Sequence, residues 1–199
     1  EGLLESFLKR LYPLLEDTNF EEFTFEAGRP DTVTEEKLSI LKKYGVTRVS
    51  INTQTSNDEI LSSVGRKHTY SDFVKAFNMA KKYGFSVNTD LIAGLPGECV
   101  ESFKKSISDV VKLSPDNITV HSFSLKKSSD YTLEGEKLDP KDEKISEMLT
   151  FSSLCMEENG YMPYYMYRQK NTGGNFENVG YTKSEKEAGL YNVYMMEGL

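Results

Sequence analysis

The chain has 199 residues, 38% of them hydrophobic and 28% charged, and a formal net charge of −7. This is the composition of a globular chain that buries one substantial core, and no apolar run reaches the roughly 20 residues of a membrane-spanning helix. The acidic balance argues against nonspecific binding to nucleic acid or to an anionic membrane. No basic-then-apolar leader opens the sequence, so the cytoplasm is the expected location.

In chain order, Leu3, Leu4, Phe7, Leu8, Leu11 and Leu15 form a helical stripe. Phe23 to Glu26 alternates as a short strand. Thr34, followed by Glu35 and Glu36, opens a second helix that Gly45 stops. Arg48 to Gln54 reads as a strand, and a short helix begins near Asn57. A longer helix runs from Ser71 to Tyr83, Phe85 to Leu91 is a third strand, and Gly94-Leu95-Pro96-Gly97 is a turn. A helix from Glu98 to Leu113 leads to a fourth strand, Asn117 to Ser124. Beyond it lie a polar stretch (Lys126 to Glu136), a helix from Pro140 to Glu158, an irregular aromatic segment from Tyr161 to Tyr181, and a last helix from Ser184 to Met196.

Strand ends fall at Glu26, Gln54, Asp90 and Ser124, separated by 28, 36 and 34 residues. That spacing suits a strand plus a crossover helix, hence parallel pairing in a barrel or an open flavodoxin-like sheet. Side-chain alternation favours the barrel. One face carries Thr24 and Glu26; Ser50, Asn52 and Gln54; Ser86, Asn88 and Asp90; Ser122 and Ser124. The other carries Phe23, Phe25, Val49, Ile51, Phe85, Val87, Leu91 and Phe123. An open sheet with helices on both faces would be apolar on both. The polar strand ends lie where parallel α/β folds place their sites. Glu26 and Asp90 offer acceptors for an ammonium or for ribose hydroxyls, and Gln54 can both donate and accept.

The segment DLIAGLPGE (Asp90 to Glu98), with VSINTQT, GRKHT and FEAGRP before it, resembles the radical S-adenosylmethionine (SAM) barrel of the oxygen-independent coproporphyrinogen III oxidase family. The later YRQKN and NFENVGY resemble its HemN/HemZ-like members. The resemblance covers about Phe23 to Gly180. It implies an α/β fold: a partial, TIM-like β/α barrel of about four parallel strands with crossover helices over residues 1–138. A C-terminal helical and irregular extension, 139–199, would pack on it. It also implies SAM contacts at Glu26, Gln54, Arg66, Asp90 and Ser124. Arg168, in a loop with Tyr164, Tyr165 and Tyr167, can meet the propionates of a tetrapyrrole, because its fork binds carboxylates in two places.

In such enzymes a [4Fe–4S] cluster on a CxxxCxxC loop passes an electron to SAM. The radical formed removes hydrogen from propionates, which leave as carbon dioxide to give vinyl groups. This sequence lacks both the CxxxCxxC loop and the Gly-Gly-Thr-Pro loop, which implies a piece of a longer protein, holding strands three to six. Cys99 and Cys155 are its only cysteines; they read as reduced thiols without metal-ligand spacing. A haem chaperone on the same barrel is the rival from another class, although PYYMYRQKN stands where that branch has HNxxYW; a radical SAM enzyme with another substrate is the third reading. His68 and His121 read as lone, hydrogen-bonded structural histidines. The Phe23 to Glu26 strand is expected to be an exposed sheet edge able to recruit a second copy.

Overall fold

Capping side chains and glycines cut the chain into elements where its sequence marks them. The computed structural model describes residues 2–15, 18–124, 143–168 and 176–198. After α1 (Gly2–Leu15) and β1 (Thr24–Gly28), the Thr34 hydroxyl accepts from the Lys37 N–H at 3.2 Å and starts α2 (Glu35–Lys43). Glu35 and Glu36 sit at its positive end, Lys42 and Lys43 at its negative end. Then follow β2 (Arg48–Ile51), α3 (Asp58–Ser63) and α4 (Tyr70–Lys82), the last opened by a reciprocal capping box between Thr69 and Asp72. β3 (Ser86–Ala93), α5 (Val100–Leu113) and β4 (Asn117–Ser122) complete the repeating unit.

β1 to β4 pair in parallel and in sequence order. Val49, Ile51, Val87, Leu91, Ile118 and Val120 share one buried cluster with Phe73, Phe77, Phe103 and Ile107 from the helices. Each such side chain contributes about 1.5–3 kcal/mol by leaving water. Strands in sequence order, with the helical core on one face and polar residues on the other, make an arc of a barrel; the open flavodoxin-like alternative is not adopted. Among the described residues β1 pairs only with β2, so its outer side is a sheet edge.

The C-terminal region departs from expectation. After α6 (Glu143–Glu158), the aromatic segment expected to be irregular forms a hairpin of β5 (Met162–Arg168) and β6 (Glu177–Thr182). The hairpin continues the sheet antiparallel, in the order β4-β6-β5. A register shift between Pro163 and Tyr165 breaks the period of two, which hides the strand in the sequence. The last helix, α7 (Leu190–Glu197), is shorter than expected because Glu185–Glu187 forms a 3-10 turn before it. The stretch 126–136, the start of the expected helix at 140, and Gln169, Lys170 and Asn171 lie outside the described residues.

Gly94, at φ +84, has its close neighbour on the outer side of the sheet. A Cβ there would lie 2.5 Å from Ile145 of α6. The glycine therefore admits the close approach of a helix.

Candidate active site

The polar face of the sheet lines a cavity of about 1010 Å³. Glu26, Ser50, Asn88 and Asp90 all border it, as the alternation of the first three strands requires. For β4 the alternation read from sequence was one residue out of phase. Asp90 pairs with Thr119 and Ile92 with His121, so Asn117, Thr119 and His121 face the cavity and Ser122 faces the helices. β4 is buried on both faces almost throughout, so polarity alone did not reveal which face was which.

Hydrogen bonds join these residues across the sheet. Asn52 donates to Glu26 at 3.2 Å, and Ser50 donates to Asn52 at 3.4 Å. Asn88 reaches both the Ser50 hydroxyl at 3.0 Å and Asp90 Oδ1 at 3.1 Å. On the far side, His121 Nε2 stands 3.5 Å from Asp90 Oδ2, and its Nδ1 is 3.1 Å from the Tyr167 hydroxyl. Glu26 opens to the cavity, yet removal of water by the surrounding walls raises its pKa first of all, with the Asp90 charge adding to the rise.

The hairpin supplies an aromatic wall. Tyr165 and Tyr167 lie nearly parallel, 6.2 Å between ring centroids. Tyr165 crosses directly over Gly180 of β6, where any Cβ would come within 1.8 Å of its ring, and its hydroxyl meets Thr119 at 3.1 Å. Burial pushes both phenols' pKa values up, so they remain neutral donors. The floor is held by Arg48. Its guanidinium bonds Glu22 at 3.3 Å and the Glu187 carbonyl at 2.9 Å, while Glu22 accepts from the Leu190 N–H that begins α7.

The remaining expected contacts are placed differently. Gln54 has a left-handed backbone, φ 74, unusual for a residue with a side chain. Its N–H donates to the Asp90 carbonyl at 3.0 Å and its carbonyl accepts from Ile92 at 2.9 Å. Gln54 is thus locked beside Asp90 through backbone, with a buried side chain that does not border the cavity. Arg66 caps the end of α3 through its N–H to the Leu61 carbonyl and lies half-buried outside the cavity. Ser124 lies two residues beyond β4 and does not border the cavity either. Arg168 pairs with Glu177 across the hairpin, exposed, at a position out of phase with Tyr165 and Tyr167. Sequence reasoning read His121 as a structural histidine and gave Thr119 and Arg48 no part in the site; the structure places all three on the cavity wall. The repeat of polar residues at 117, 119 and 121 was the available signal.

Residues 3–110 match the model of the radical SAM superfamily. The chain belongs to that superfamily. Within it, the chain is 44% identical over 181 residues to the oxygen-independent coproporphyrinogen-III oxidase-like protein HemZ of Bacillus subtilis, covering 90% of this chain and 36% of that protein. It is 33% identical to the haem chaperone HemW of the same organism, over 82% of this chain and 45% of HemW. In fold it superposes on coproporphyrinogen III oxidase HemN from Escherichia coli with a TM-score of 0.70, over 98% of this chain and 43% of HemN, at 23% identity. The chain therefore spans about a third to a half of the length of these relatives.

The superfamily implies SAM and a [4Fe–4S] cluster. The cavity fits the first: two carboxylates face it together, and Asn88 Oδ1 has no hydrogen-bond partner among the described residues. That set of acceptors suits an ammonium and the hydroxyls of a ribose. The residues of this chain do not fit the second. Cys99 stands at the start of α5 and Cys155 on α6, and two thiolates are fewer than such a cluster takes.

Proposed function

We propose that this chain is the SAM-binding portion of a radical SAM oxidoreductase that acts on the propionates of a coproporphyrinogen-like tetrapyrrole. The observation that carries the reading is the convergence of Glu26 and Asp90 on one cavity, joined through Asn52, Ser50 and Asn88. Glu26 and Asp90 would hold the amino and ribose groups of SAM. With one electron from a donor outside this chain, bound SAM would supply the radical chemistry, and the barrel's residues would supply position and limit access of water. The stacked faces of Tyr165 and Tyr167 offer a flat ligand a surface beside that site. The second reading, haem binding without oxidation, draws on the similarity to HemW.

Calorimetric titration of the chain with SAM tests the reading. Asp90→Ala is expected to weaken binding about ten- to a hundredfold, the loss of one charge-assisted hydrogen bond, with the melting temperature unchanged. Equal affinity in the variant would remove Asp90 from the site. Fluorescence titration with coproporphyrin III and with hemin then separates the two readings by which one binds more tightly.

A further inference from the structure

β2, β3 and β4 begin with Arg48, Ser86 and Asn117, and parallel pairing gathers these first residues at the amino-terminal edge of the sheet. All three bind Glu187, in the 3-10 turn before α7. Arg48 Nη2 donates to the Glu187 carbonyl at 2.9 Å and to that of Ala188 at 3.4 Å. Asn117 Nδ2 donates to the same Glu187 carbonyl at 2.7 Å, and the Ser86 hydroxyl donates to the Glu187 carboxylate at 2.9 Å. Glu22 completes the group. Its carboxylate pairs with Arg48 Nε at 3.3 Å and accepts the Leu190 N–H, the first of α7, at 3.0 Å. We infer that residues 185–190 are a strap, latched by Arg48, that holds α7 as a wall of the cavity and is released together with α7 as one unit.

One guanidinium spans Glu22, Glu187 and Ala188, so its removal breaks the charge-assisted bonds of the latch together. Little else secures the helix. Tyr191, Tyr194, Met195 and Met196 border the cavity and are exposed, so α7 gains little from apolar burial. Asn192 adds one bond, to the Tyr164 hydroxyl at 3.3 Å. An element with few buried apolar contacts opens locally at low cost, and polar ties then decide whether it stays. Glu21, Glu22, Arg48 and Leu190 also border a second, polar cavity of about 560 Å³. The same side chains thus part the two cavities, and release of the strap joins them.

Hydrogen exchange with mass spectrometry on the chain without ligand tests the strap, independently of the proposed function. Arg48→Met should speed exchange across residues 185–197 together, by about tenfold or more, while residues 86–93 and 100–113 keep the parent's protection. Ser86→Ala removes only the bond to the Glu187 carboxylate and should speed exchange over the same residues by about threefold. It decides alone if Arg48→Met does not fold. Unchanged exchange over residues 185–197 in either folded variant overturns the inference. So does an equal rise across the whole chain, or a rise in α7 that leaves residues 185–189 unaffected.

Discussion

The two faces of the sheet handle carboxylates in opposite ways. Behind the sheet, Glu98 is buried among hydroxyls: Thr55 donates to it at 2.6 Å and Ser102 at 3.2 Å. Ser106 extends the cluster to Thr55 at 2.9 Å. These groups tie the loop after β2 to α5, and burial raises the Glu98 pKa. On the cavity side, Glu26 and Asp90 are held by amides and remain accessible. Both arrangements use short polar side chains, and both contain a carboxyl with a raised pKa. A raised pKa therefore does not distinguish a site from a structural anchor here. What distinguishes them is whether the remaining acceptor capacity opens onto a cavity or is closed inside the protein.

That contrast can be broken most strongly in the helix-side core. Phe103 is fully buried against the sheet, and Phe103→Ala should cost about 3–5 kcal/mol. A melting-temperature fall on the order of 10 °C would accompany it. A small fall would mean that the helical layer is not what holds the arc together.

The next effect belongs to the hairpin. Gly180→Ala puts a methyl where the Tyr165 ring now lies, and should cost about 1–3 kcal/mol while moving the Tyr165 hydroxyl off Thr119. Unchanged melting and an unchanged tyrosine near-ultraviolet circular dichroism signal would show that the ring does not depend on the glycine.

The smallest effect is the dependence of stability on pH. A carboxyl whose folded pKa is raised contributes stability that is fully present below its ordinary value of 4.5 and is lost as pH rises through the folded value. Glu98→Gln should therefore gain on the parent as pH goes from 4.5 to 7.5, seen as a narrowing or reversal of the difference in melting temperature. A difference that is constant across that range would show that Glu98 titrates alike in the folded and unfolded chain.

Much of the arc was legible beforehand because its signals are local. Thr34 and Thr69 cap helices through bonds made within three residues, and the alternation in β1 to β3 reports directly which side faces the core. Glu26 and Asp90 could be paired from sequence because parallel strands carry their ends to one edge of the sheet. The hairpin was not legible, because the register shift at Pro163 interrupts its period and its stability comes from docking on β4, far away in sequence. Nor was His121, since a single histidine has no pattern of its own. Its partners Asp90 and Tyr167 stand 31 residues before it and 46 after it, and only the pairing of β3, β4, β6 and β5 brings the three together. Local chemistry determined the elements and the edge where they end; long-range pairing decided which side chains share the cavity.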